Sequence, residues 1–296
     1  MELGRISTAM VTPFSSTGEI DFEKTAKLIE HLINNGTESL VVCGTTGESP
    51  TLSVQEKELL FKFSVEIVNK RIPVIAGTGT FSTTETVKLT RMAERVGADG
   101  IMLVAPYYNK PDQKGMYAHF SYVAGETSLP VMLYNIPGRS AVNMLPETLI
   151  ALSKIKNIRA VKEASGSLDQ MVDIISGTDA GFSVYSGDDA LTLPALAVGG
   201  KGIVSVASHV AGNEMQQMIT AFKDGHTEQA GAMHRMLLPL FRAIFTAPNP
   251  VMVKYALAKI GVETGGVRLP LIGIESKDDD FDKVWENFRE NLLNSK

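Results

Sequence analysis

Eight short runs rich in β-branched and aliphatic residues recur through the first two thirds of this 296-residue chain, and segments of helical period separate them. They fall at residues 7–11, 39–43, 73–76, 100–104, 130–134, 158–162, 183–186 and 202–206. Strands joined through helices pair in parallel, because the crossover returns the chain to the same end of the sheet. The runs are almost continuously apolar rather than alternating, the pattern of strands covered on both faces. Eight such units predict closure into an α/β architecture, a (β/α)8 TIM barrel, and the length accommodates a barrel of about 250 residues with an addition.

The intervening segments carry helix signals. Residues 22–35 place Phe22, Ala26, Ile29, Leu32 and Ile33 on one face, with Asp21 before them and Gly36 after. Ser53-x-x-Glu56 and Ser82-x-x-Glu85 read as capping boxes, and Ser167-x-x-Gln170 as a third. Gly97 to Ala105 and Gly199 to Ala207 echo one another four units apart, suggesting a repeated half-barrel.

From about Gly212 the strand signals stop, and helical patterns cover residues 214–224, 226–245 around Pro239, 249–260 and 278–294. The expected division is a catalytic barrel over residues 1–224 and a C-terminal helical domain over 225–296. Asn249-Pro250 reads as an N-cap followed by the proline favoured in a first turn. The Lys277-Asp278-Asp279-Asp280 run reads as a solvated acidic helix start rather than an ion site.

Composition removes several function classes. The formal charge of −5 and the scattered lysines provide no basic field for a nucleic-acid backbone. No apolar run reaches the length of a membrane helix, and residues 1–14 lack the charged and apolar regions of a secretory signal, so a cytoplasmic protein is expected. Cys43 is the single cysteine, which precludes an intramolecular disulfide; its place in an apolar run without a nearby histidine reads as a buried small hydrophobe. The five histidines show no metal-ligand spacing, so no metal is expected.

Active sites of such barrels collect where the strands finish. Four polar sets follow apolar runs: Gly44-Thr45-Thr46-Gly47-Glu48-Ser49, Pro106-Tyr107-Tyr108-Asn109, Tyr134 to Arg139, and Lys162. Lys201 precedes its strand and belongs to the opposite rim. Lys162 is expected where the chain turns out of the core into solvent. Neighbouring strands lie roughly 4.8 Å apart, so Tyr134 and Lys162 can share a substrate atom if both point inward. A neutral amine attacks a carbonyl to form a Schiff base, and a partly desolvated pocket favours that form. The competing reading pairs Lys162 with a neighbouring acid; Glu163 suits this poorly, since successive strand residues face opposite sides. The Thr45-Thr46 turn suits a carboxylate or is simply strand-to-helix geometry. Arg139 is either a surface arginine or a bidentate grip on a second carboxylate.

With these residues in place, the chain resembles the dihydrodipicolinate synthase branch of the class I pyruvate-dependent aldolase and lyase superfamily. The likeness runs from Thr8-Ala9-Met10-Val11-Thr12-Pro13-Phe14 through the Gly44 to Ser49 turn, Ile72 to Gly79, Ala105 to Pro111, Tyr134 to Arg139 and Val161-Lys162-Glu163-Ala164. Tyr185 to Asp189, Gly202 to Val206, Asn249-Pro250 and Arg268 to Leu271 extend it to nearly the whole length.

The resemblance implies that Lys162 condenses with pyruvate, and that Thr45, Tyr134 and a neighbouring subunit's Tyr108 form a proton relay. It also implies that Thr46 holds the pyruvate carboxylate, Arg139 meets the carboxylate of L-aspartate 4-semialdehyde, and Val204 presents a backbone carbonyl near the amine. No cofactor beyond the covalent Schiff base is implied, and the implied assembly is a homotetramer built as a dimer of dimers. Feedback-sensitive relatives carry histidine at the position of Lys57 and asparagine at that of Phe81, so the likeness argues against inhibition by lysine. Ser140 replaces a threonine common after the arginine and keeps its hydroxyl. Related enzymes with the same lysine and tyrosine cleave N-acetylneuraminate or sugar-derived keto acids, and a barrel retained as a non-enzymatic regulator is a further alternative. The Thr45-Thr46 turn and Arg139 favour the synthase.

Overall fold

A computed structural model describes residues 3–274 and 277–294. Eight parallel strands, β1 (Ile6–Ala9), β2 (Ser39–Val42), β3 (Val74–Gly77), β4 (Gly100–Val104), β5 (Val131–Asn135), β6 (Ile158–Glu163), β7 (Ser183–Ser186) and β8 (Gly202–Ser205), close in chain order into a barrel. The closing pair is β1 with β8, Ser7 opposite Val204. Each expected run overlaps its strand, with ends that differ by at most two residues. The barrel leaves no free edge, and its wall is buried on both sides, which is why the strands read as unbroken apolar runs.

Seven α-helices precede β7: α1 (Phe22–Asn34), α2 (Val54–Val68), α3 (Thr83–Arg95), α4 (Gln113–Gly125), α5 (Pro137–Ser140), α6 (Pro146–Ser153) and α7 (Leu168–Gly177). They are succeeded by α8 (Thr192–Ala197), α9 (Ser208–Lys223), α10 (Thr227–Ala243), α11 (Val251–Lys259) and α12 (Asp279–Asn294). The local signals are met to different degrees. Asp21 caps α1 by accepting from the Lys24 amide at 3.0 Å. Ser53 and Glu56 form the full capping box of α2, whereas Ser82 and Ser167 cap α3 and α7 from one side only. Gln170, the expected reciprocal partner, instead turns its amide to Glu163.

Two expectations in the C-terminal part need correction. The helical pattern begins at Ser208 rather than near Gly212, because α9 continues through a break at Ala211 (φ −137°, ψ 26°). Asn249 does not cap α11: that helix starts at Val251 after Pro250, without a side-chain cap. The acidic start of α12 holds, with Asp278 accepting from the Phe281 amide at 2.9 Å. Helix α10 packs on α9 and α12, and its Leu237, Leu240 and Phe241 share an apolar cluster with the layer between the barrel wall and its helices. A second, smaller cluster fills the barrel: Ala9, Val41, Ile75, Met102, Met132, Tyr134, Ala160, Tyr185 and Val204, with Leu3 beside them.

Candidate active site

Parallel register decides which side chains meet at the mouth. Tyr134 pairs with Lys162, and Lys162 pairs with Tyr185 on the next strand, so the three share the inner face of β5, β6 and β7. The Lys162 Nζ lies 4.3 Å from the centroid of the Tyr134 ring. Both residues are buried, Lys162 at 5% exposure and Tyr134 at 4%. The lysine therefore does not emerge into solvent as expected; β6 runs one residue further, to Glu163, and keeps the amine inside. Among the described residues Lys162 has no carboxylate within ion-pair distance, an unusual state for a buried lysine.

The next residue of each strand faces the helices. Asn135 pairs with Glu163, whose buried carboxylate accepts from Asn135 Nδ2 at 3.0 Å, Gln170 Nε2 at 3.0 Å and the Ser165 amide at 2.6 Å. Asn135 also reaches Asn143 at 2.7 Å and accepts from the Met144 amide at 3.0 Å, which ties the segment after Arg139 to the ends of β5 and β6. The expectation that Glu163 is no partner for Lys162 is met for the reason given: alternate strand residues point to opposite sides.

A cavity of about 210 Å³ opens beside this pair, lined among others by Gly44, Thr45, Tyr107, Tyr134, Arg139 and Ser140. Thr45, Tyr134 and Arg139 are thus brought together, with Arg139 exposed and without an acidic partner among the described residues. Lys162 does not line the cavity; the Tyr134 ring that covers its amine does. Thr46, the next residue of the turn, is buried at 2% exposure and likewise off the lining. Val204 is buried in the barrel interior. Tyr108 stands apart, 90% exposed at φ +69° and away from the cavity of its own chain.

The turn after β2 is held from a distance in sequence. Glu48, at φ +55° and 3% exposure, accepts from Lys254 Nζ at 2.8 Å and from the Arg268 amide at 2.9 Å. Lys254 and the Arg268 guanidinium each lie 4.4 Å from the Phe14 ring centre, and Arg268 also clasps Glu56. Burial holds the Lys254 ammonium below the usual lysine range, against the pull of Glu48 in the other direction. Asp189, fully buried, accepts from Ser205 Oγ and the amides of Val206 and Ala207, fixing the exit of β8; burial pushes its carboxyl up. None of these long-range partners announces itself in a local pattern, although Lys254 and Arg268 lie in segments noted for other reasons.

Cys43 follows β2 at φ +56°, and burial pushes its thiol up to about 12, which makes it a poor nucleophile although it borders the cavity. Lys57 is buried on α2, where burial draws its ammonium down, and Phe81 is half exposed with its ring edge-on to Tyr107. Ser140 keeps its hydroxyl within 3.0 Å of the Ile136 carbonyl and 2.9 Å of the Val142 carbonyl. No group of three or more His, Cys, Asp or Glu side chains among the described residues is placed to hold a metal ion. No helix among them is long and apolar enough to cross a membrane.

A closed (β/α)8 barrel with a buried lysine that has no acidic partner among the described residues, beside a tyrosine at the strand ends, defines a class: barrels equipped for carbonyl chemistry through an amine. The chain belongs to the dihydrodipicolinate synthetase family, whose model matches residues 2–284. It is 58% identical over 278 residues to a 4-hydroxy-tetrahydrodipicolinate synthase of Bacillus velezensis, covering 94% of this chain and 96% of that one. The corresponding Bacillus subtilis enzyme is 57% identical over 273 residues, with 92% and 94% covered. A solved dihydrodipicolinate synthase from Bacillus anthracis superimposes with a TM-score of 0.95 at 52% identity, covering 98% of each chain.

Proposed function

We propose that this chain is a 4-hydroxy-tetrahydrodipicolinate synthase of lysine and diaminopimelate biosynthesis, condensing pyruvate with L-aspartate 4-semialdehyde through a Schiff base on Lys162. The observation that carries the reading is a buried amine with no acidic partner among the described residues, set over the ring of a tyrosine that borders an open cavity. Neutral Lys162 adds to the pyruvate carbonyl carbon, and loss of water leaves an iminium. Removal of a methyl proton gives the enamine, whose carbon attacks the aldehyde of the second substrate. The amino group of that substrate then displaces Lys162 from the iminium carbon, closing the ring and freeing the enzyme.

Proton traffic in these steps is assigned to Tyr134 and Thr45, which share the cavity wall, and to a neighbouring subunit's Tyr108. In support of a contribution from a second subunit, Tyr108 is almost fully exposed and does not line its own chain's cavity. A homotetramer formed as a dimer of dimers supplies it in this reading. Thr46 holds the pyruvate carboxylate, the Val204 carbonyl lies near the amine, and Arg139 takes the carboxylate of the aldehyde substrate, for which its free guanidinium is suited. The reaction draws on no cofactor beyond the lysine itself, and the setting is cytoplasmic.

The test is borohydride reduction in the presence of pyruvate, peptide mapping of the adduct, and a coupled assay with aspartate semialdehyde. A single adduct on Lys162 that disappears in Lys162→Ala is the expected result. An adduct that persists in that variant removes the assignment.

A further inference from the structure

The Asn249 side chain, which local sequence assigns to a helix cap, is instead spent on the turn after β2. Its Nδ2 donates to Thr46 Oγ1 at 2.9 Å across 203 positions of sequence. Both residues are buried, Asn249 at 8% exposure and Thr46 at 2%. A threonine hydroxyl has one proton to give and two lone pairs to receive with. Asn249 fills a receiving position, and no acceptor for the Thr46 proton is present among the described residues. The opposite amide orientation would let Oδ1 take that proton; in this structure Oδ1 is buried and without a partner among the described residues. The polarity of the contact thus leaves Thr46 as an unused donor beside Thr45, which lines the cavity.

The same turn is immobilised two residues on by the Glu48 contacts to Lys254 and Arg268. Asn249 lies just before α11 and Lys254 in its first turn, so the start of that helix meets the β2 turn at two points.

We infer that Asn249 is a positioning residue: it holds the Thr46 hydroxyl as a donor toward the carboxylate of the keto acid, so the helical segment after the barrel sets the affinity for the first substrate. This rests on the reading of Lys162 and pyruvate above. A side chain that only filled space would affect stability and not the binding of that carboxylate.

The experiment measures KM and kcat for pyruvate, with melting temperature, in the full chain for Asn249→Ala, Asn249→Asp, Thr46→Val and Asn249→Ala combined with Thr46→Val. Loss of one hydrogen bond to a charged group predicts a rise in KM of roughly 10-fold for Asn249→Ala, with kcat within about threefold. Asn249→Asp should raise KM further, since its carboxylate accepts the Thr46 proton and repels an incoming anion. In the Thr46→Val background Asn249→Ala should add less than about twofold, because the route through Thr46 is already gone. The inference is overturned if Asn249→Ala leaves KM within about twofold of wild type, or multiplies it equally in both backgrounds. Should Asn249→Asp fail to fold, the alanine arms decide alone. A wild-type pyruvate adduct together with silent Asn249 variants removes the positioning role only; absence of that adduct removes the underlying reading, and the inference with it.

Discussion

The amine of Lys162 rests against the face of the Tyr134 ring, 4.3 Å from its centre, and not against the phenol oxygen. Two roles of the tyrosine are therefore separable. The ring packs against the lysine chain and covers its amine. The hydroxyl is available for proton transfer.

Tyr134→Phe should consequently keep the lysine in place and form the pyruvate adduct to a similar extent, while turnover falls by about 10²–10⁴-fold, the usual worth of general acid–base assistance. Tyr134→Leu should lose both. Adduct yield by mass spectrometry and kcat from the coupled assay separate the two effects; equal loss of adduct in Phe and Leu variants would mean that the hydroxyl, not the ring, holds the amine.

Gly187 limits the lysine from the other side. A Cβ added there would stand 2.9 Å from Lys162 Cε, 3.1 Å from its Cγ and 2.7 Å from Ala164 Cβ. The Ala164 Cβ has no rotamer to change, so the lysine chain must swing. Gly187→Ala is expected to slow reductive trapping by roughly 10²-fold, the order of effect of an ångström-scale misplacement of a reacting group. The circular dichroism spectrum should stay unchanged. Combining it with Ala164→Gly relieves only the Ala164 contact and should restore little; full recovery in the double variant would show that the lysine itself is not displaced.

The barrel and its lysine are legible in the sequence because they depend on short-range facts. Strands such as Leu40-Val41-Val42 are apolar on both faces, and Lys162 is the polar residue that ends such a run. The depth of Lys162 is not legible, since it depends on β6 extending to Glu163 through its pairing with Asn135. Asn249 shows the converse error. Its local signature, Asn-Pro before a helical pattern, fits a cap, but the amide is claimed by Thr46 at the far end of the chain, and tertiary contact overrides the local preference. The buried Glu48–Lys254 pair was invisible for the same reason: neither residue stands out until the helical segment is folded against the β2 turn.

The histidines that do not take part in the chemistry supply the last prediction. His209 is fully buried; its Nδ1 donates to the Val206 carbonyl at 2.8 Å, and its Nε2 accepts from the Val11 amide at 3.1 Å. Both contacts require the neutral ring, since a second ring proton would face the Val11 N–H. Burial draws its pKa from the usual 6.5 down to about 4, with a smaller push in the same direction from His31, which bonds the His209 carbonyl. His119, largely buried against Thr83 and Phe120, is drawn down to about 4 by the same cause. A base with a depressed folded pKa binds protons preferentially in the unfolded chain. The stabilisation is therefore complete above pH 6.5 and is lost as pH falls through 4. For His209 the loss amounts to about 3 kcal/mol on this shift. Urea unfolding of wild type and His209→Gln at pH 7 and pH 4 should show the stability gap between them shrinking by about that amount on acidification. A gap that stays constant between the two pH values would mean that His209 is not the group whose protonation destabilises the barrel.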